Sequence, residues 1–100
     1  AHNNLGELLF GWGEKAESKG QPRDADRLYR RAEGHYRETV RLKPHEPGHH
    51  YNLARAALKL NRTEDAEGHC REALRLAPEY AGAHFYLGIA LGVQERHAEA

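Results

Sequence analysis

The chain has 100 residues, enough for one domain that buries roughly two thirds of its unfolded surface. Lys plus Arg and Asp plus Glu stand at 15 each, so the formal charge is zero and the basic field that nucleic-acid binding needs is absent. The longest apolar run, Leu8-Leu9-Phe10, is far short of the ~20 residues of a membrane span, and the single cysteine excludes an intrachain disulfide and fits a reducing, cytoplasmic compartment. The chain does not begin with Met and reads as a piece of a longer protein, so missing targeting signals carry little weight.

Residues 2–18 predict a first helix, with Leu5, Leu8, Leu9, Trp12 and Ala16 at spacings of three and four. Gly20 suits the left-handed conformation past its end, and Pro22 suits the first turn of the next helix, whose start Asp24 and Asp26 favour electrostatically. That second helix covers about 23–43 on Ala25, Leu28, Tyr29, Ala32, Tyr36, Val40 and Leu42, and Pro44 and Pro47-Gly48 close it. Residues 49–60 predict a third helix, Asn61 a left-handed cap, and Thr63 the N-cap of a fourth helix over 63–76 that Pro78 ends. Residues 81–93 predict a fifth, and 95–100 begin a sixth. No alternating run is long enough for a strand.

A period of 34 residues runs through these helices. Shifted by 34, His50 falls on His84, Leu53 on Leu87, Ala54 on Gly88, Ala57 on Leu91 and Ala66 on Ala100. Shifted back by 34, Ala66 falls on Ala32, Cys70 on Tyr36 and Pro78 on Pro44. A period of this size in helix-forming sequence marks stacked helical hairpins.

These residues resemble the tetratricopeptide repeat, whose pattern sets an aromatic, Leu-Gly and a further large residue on one helix, then Ala, an aromatic, Ala and Pro on the next. The second copy supplies His50, Leu53-Ala54, Ala57, Ala66, Cys70, Ala73 and Pro78; the third supplies His84, Leu87-Gly88, Leu91 and Ala100. The first supplies His2, Leu5-Gly6, Leu9, Ala32, Tyr36, Thr39 and Pro44. The resemblance covers essentially the whole chain and implies an all-α, right-handed superhelical stack of antiparallel hairpins. A single domain would hold an elongated hairpin over 1–46, a second over 47–80 and a partial one over 81–100.

Three departures stand out. Histidine fills all three tryptophan slots (His2, His50, His84) and brings polar atoms that need partners. Cys70 replaces an aromatic, which should loosen the second hairpin. Leu53 to Ala66 and Leu87 to Ala100 are both 13 residues, but Leu5 to Ala32 is 27, a difference of 14. Split as seven on each helix, the excess keeps the facing surfaces in phase and lengthens the hairpin by ~10 Å. Two long continuous helices are expected, with Trp12, Ala16, Ala25, Leu28 and Tyr29 packing the extension.

The resemblance implies a concave groove lined by the first helix of each hairpin. Carried over, this gives Asn3, Glu7 and Phe10, then Tyr51, Arg55, Leu58 and Lys59, then Phe85, Ile89 and Val93. Tyr51, Phe85 and Ile89 would form an apolar floor for a peptide or helix, with Arg55 and Lys59 as a cationic edge. The alternative is that Phe85, Ile89 and Val93 are covered by a following repeat or another copy. Of the basic and amide side chains with which one subgroup of the family grips acidic C-terminal tails, only Asn52 is present, so that ligand is rejected.

The expected function is a non-catalytic adaptor or scaffold that binds a protein or peptide partner. Self-assembly, or a regulatory or substrate-recruiting role in a larger enzyme, are the alternatives. No cofactor, nucleic acid or membrane partner is expected. Residues 45–49 match the letters of a zinc-protease motif, but the prolines set His45 ahead of the helix, so the two histidines cannot share one face. A loop metal site at His45, His49 and His50 is the minority reading. Cys70 has no base placed by a recognisable motif, and Gly11-Trp12-Gly13 follows no strand, so neither suggests chemistry.

Overall fold

Stop signals and apolar spacing divide the chain into five helices: α1 His2–Ser18, α2 Pro22–Leu42, α3 Pro47–Lys59, α4 Thr63–Leu76 and α5 Ala81–Glu99. The computed structural model describes the backbone of residues 2–99 and the side chains of residues 5–96, so the expectations for the side chains of His2, Asn3 and Ala100 lie outside it. No strand occurs among the described residues. Consecutive helices pack as antiparallel neighbours, α1 on α2 and α3 on α4, and α5 lies on α4 and α3.

The turns follow residue chemistry. Gly20 (φ 73°) and Asn61 (φ 62°) take the left-handed conformation past α1 and α3. Pro22 opens α2, and Pro47 opens α3 rather than closing the helix before it, since its missing N–H is no loss in a first turn. Thr63 is the first residue of α4 and not its cap, which is Arg62, without a side-chain cap bond. The fifth helix does not stop at Val93. It continues to Glu99 because the residue that the period sets on Asn61 is Glu95, and glutamate resists the left-handed turn that asparagine accepts.

The first hairpin is two unbroken helices, and glycine sets how closely they approach. A β-carbon at Gly6 would lie 2.7 Å from Tyr36 Cε1, and one at Gly13 would lie 2.6 Å from Tyr29 Cε1. Gly6 and Gly13 are seven apart on α1, and Tyr36 and Tyr29 are seven apart on the antiparallel α2. The added residues therefore repeat one ring seat two turns further along. Ala16, Ala25 and Tyr29 are buried there, and Leu28 packs on the same core. Trp12 departs from expectation, at 49% exposed: it shares a stripe with Leu5 and Leu8 that faces away from α2. In the second hairpin Ala54 and Cys70, both fully buried, take the places of Gly6 and Tyr36. A larger group on α3 offsets the smaller one on α4, and both are fully buried, so Cys70 does not leave the pair loose.

Two polar devices hold the hairpins together. Arg62 Nη1, at the α3–α4 turn, reaches both oxygens of the buried Glu33 on α2 at 2.6 Å, with Arg37 at 3.4 Å. Each described histidine in a tryptophan slot donates its Nε2–H to the carbonyl of the proline six residues earlier, His50 to Pro44 and His84 to Pro78, both at 2.8 Å. The ring nitrogen thus supplies the partner that the loop carbonyl needs.

Two outcomes are expected in urea denaturation. Gly13→Ala lowers stability by about 2 kcal/mol through overpacking against Tyr29, whereas Gly11→Ala, at a position with nothing within 4 Å, raises it by about 0.8 kcal/mol through helix propensity. Arg62→Met, which keeps the aliphatic stem, costs about 2 kcal/mol because Glu33 stays buried with only its longer contact to Arg37.

Candidate concave binding face

The first helices of the hairpins are α1, α3 and α5; α3 packs on α5 and is joined to α1 by side-chain bonds, and the residues facing these junctions form one candidate face. On α1 the side chains at i, i+3, i+7 and i+10 are Glu7, Phe10, Glu14 and Glu17. On α3 they are Tyr51, Arg55 and Lys59, and on α5 Phe85, Ile89 and Val93. The two sides of this face differ in character.

The α1–α3 side is a doubled ionic staple. Glu7 Oε1 accepts the Tyr36 hydroxyl from α2 at 2.9 Å and Arg55 Nη1 from α3 at 3.3 Å. Glu17 Oε1 accepts the Tyr29 hydroxyl at 2.6 Å and Lys59 Nζ at 3.3 Å. Both cations also lie over rings: Arg55 Cζ is 4.2 Å from the Phe10 centroid and 5.5 Å from that of Tyr51, and Lys59 Nζ is 5.8 Å from that of Tyr29. Burial, followed by the adjoining carboxylates, drives the Tyr29 and Tyr36 phenols far above their ordinary range, so both remain hydrogen-bond donors. The Tyr29 hydroxyl, and after it Lys59, holds Glu17 below the usual carboxylate value.

The α3–α5 side is aromatic. Tyr51 lies 5.2 Å from Tyr80 and 5.6 Å from Tyr86, ring to ring, and Phe85 packs edge-on to Tyr86 at 5.3 Å. Gly82 makes room for this cluster, since a β-carbon there would lie 2.7 Å from Tyr51 Cε1. Beyond it Phe85 is 65% exposed and Ile89 39%, beside a shallow depression at Gly88, Gly92 and Val93 with Arg96 at its end. Gly88 has the register of Gly6, but no ring covers it.

The residues assigned from sequence therefore separate. Glu7, Tyr51, Phe85, Ile89 and Val93 lie at the surface of this face. Phe10, expected in the groove, is 1% exposed and belongs to the core beneath Arg55, 5.3 Å from Tyr29. Leu58 is half-buried against Ala57, Ala66 and Ala90, at the α3–α4–α5 junction. Arg55 and Lys59 are present but already paired, so they do not form an open cationic edge. Sequence reasoning overlooked Glu14, Glu17, Tyr80 and Tyr86. The period sets Phe85 in the place of Tyr51, whereas the ring contact is made by its neighbour Tyr86; the small residue at Gly82 was the available signal.

Elsewhere the chemistry is bland. Among the described residues no group of His, Cys, Asp and Glu is arranged to hold a metal ion, and no helix is long and apolar enough to cross a membrane. His45 precedes α3, while His49 and His50 lie within its first turn. Burial pushes the Cys70 thiol up to about 11, which leaves it un-ionised at neutral pH.

The comparisons agree with this geometry. The tetratricopeptide-repeat family model matches residues 10–81 and again 51–100. Among solved structures, the Arabidopsis OM64 TPR domain superposes with a TM-score of 0.56 at 22% identity, covering 99% of this chain and 76% of that one. The search of curated proteins finds no match. The chain belongs to the tetratricopeptide-repeat family, whose repeats are generally protein–protein interaction modules.

The Glu17 staple predicts a pH dependence. Its carboxyl titrates below the ordinary value of 4.5 when folded, so its contribution is present above that value and is lost as pH falls through the lower one. Tyr29→Phe should therefore cost about 0.5 kcal/mol at pH 6, and the gap to the parent protein should close as the carboxyl is protonated at pH values under its ordinary 4.5. Chemical denaturation across this range checks it.

Proposed function

We propose that the chain is a non-catalytic interaction module that binds a segment of a partner protein across the face formed by α1, α3 and α5. The observation that supports this reading is the run of rings from Tyr80 through Tyr51 and Tyr86 to Phe85, which ends in exposed apolar surface at Phe85 and Ile89. Exposed large apolar side chains next to a half-buried aromatic cluster are what interface anchors look like, with flat rings for contact and hydroxyls at the rim. The open edge of α5 suits a partner that brings its own apolar side chains. The described residues contain no motif for group transfer or hydrolysis, and the family's general role agrees with binding.

A second reading is self-association. It draws on a second exposed apolar stripe, Leu5, Leu8 and Trp12, on the outer side of α1. A chain with unpartnered apolar faces at both ends of its row of helices can stack on copies of itself. Light scattering separates the two readings, since a monodisperse monomer over a wide concentration range leaves the stripe without this role.

Peptides selected from a phage-displayed library on the immobilised protein should lose about 30-fold in affinity for the double variant Tyr51→Ala, Phe85→Ala, with helical circular dichroism unchanged. Equal affinity for both proteins would exclude this face as the binding site.

A further inference from the structure

We infer that the segment bound on this face is extended, with an apolar side chain on Phe85 and Ile89 and a Lys or Arg set against Glu14. The inference rests on the binding role proposed above and concerns the chemistry of the ligand.

The placement of charge on the face sets where a basic side chain fits. Glu7, Glu14 and Glu17 on α1 stand against Arg55 and Lys59 on α3 and Arg96 at the far end of α5, three carboxylates to three cations. The two cations on α3 are spent: Arg55 on Glu7 and the Phe10 ring, and Lys59 on Glu17 and the Tyr29 ring. A ligand carboxylate that recruited either one would have to break an ion pair and lift the cation off an aromatic face. Arg55 is also well covered, with its side chain only 17% exposed. Glu14 is different. It is exposed, it makes no ion pair among the described residues, and its charge acts on both Tyr29 and Tyr36, which puts it between the two staples. The negative charge left unpaired among the described residues therefore sits where an incoming segment meets α1, and the positive charge left unpaired among them, Arg96, sits at the opposite end, on α5.

Geometry gives the spacing. Packed helices lie 8–10 Å apart; α3 packs on α5 and meets α1 through long side chains, so α1 and α5 are separated by roughly 20 Å or slightly more. An extended chain crosses that distance in about six residues. A helix lying across the face would need about 13 at 1.5 Å each. The tyrosine rings between the two ends also offer π-faces on which a basic side chain can stack.

The test uses a bead-bound library of acetylated, amidated octapeptides with random sequence, probed with the labelled parent protein and with Glu14→Lys. The parent protein should enrich sequences that carry an aromatic or large aliphatic residue and, five to six positions away, Lys or Arg. Glu14→Lys should replace that base with Asp or Glu. For a selected peptide, Glu14→Gln should weaken binding about threefold at low salt, the size expected for one exposed ion pair, with the difference fading at high salt. Enrichment of apolar residues without a base, or of acidic residues by the parent protein, would overturn this inference while leaving the binding role intact. No enrichment by either protein would overturn both. Glu14 is exposed and bonded to nothing within the fold, so unchanged thermal melting is expected for these variants and separates lost recognition from lost structure.

Discussion

The distance between α1 and α2 is set by what is missing from Gly6 and Gly13. With no β-carbon in the way, the Tyr36 and Tyr29 rings lie flat on the α1 backbone. Much else follows from that approach. The rings close the core around Leu9, Phe10 and Ala32, and their hydroxyls emerge on the far side of α1, where Glu7 and Glu17 meet them. Those carboxylates are then in place to take Arg55 and Lys59 from α3. One steric fact inside the first hairpin is thereby passed on, through two phenols and two acids, to the orientation of the second.

The pattern of the sequence made part of this legible. The period of 34 marks which helices pair, and the 14 extra residues imply two added heptads, because only a multiple of the helical repeat keeps two packed faces aligned. What the period cannot convey is which way each side chain points when a position is reused. Phe10 has the register of a surface residue, yet the lengthened hairpin gives it two tyrosines to pack on and an arginine for a lid. Trp12 looks like a core residue by composition and spacing, but the stripe it shares with Leu5 and Leu8 has no helix against it. The ionic staples were beyond reach for a different reason. Each links three helices, with sequence separations of 12 and 42 residues for Glu17 and 29 and 48 for Glu7, and no local rule brings such groups together.

The same network shapes what the face can recognise. A lysine and an arginine on the concave side of a helical repeat look, in sequence, like a site for acidic ligands. Once each is bonded to a carboxylate and stacked on a ring, it serves the fold, and its charge is cancelled before any ligand arrives. Under the proposed binding role, what is left for recognition is shape, the π-faces of Tyr51, Tyr80 and Tyr86, the apolar ridge of α5, and the charges of Glu14 and Arg96, unpaired among the described residues, at the two ends of the face. Under that role stability and specificity are coupled, because the groups that fasten hairpin to hairpin are those that would otherwise be free to meet a ligand.

The far end of the row shows how strictly the device depends on backbone conformation. Shifted by 34 residues, Glu33, Arg37 and Arg62 become Glu67, Arg71 and Arg96. The first contact recurs, since Arg71 holds Glu67 at 2.8 Å as Arg37 holds Glu33 within its own helix. The second does not. Asn61 turns the chain after α3 and brings Arg62 onto Glu33, but Glu95 continues the helix, and Gln94 takes the place on Glu67 at 2.8 Å. A neutral amide thus stands where a guanidinium closes the clamp one repeat earlier. The difference between a closed and an open clamp lies in whether one residue, Asn61 or Glu95, accepts a left-handed turn.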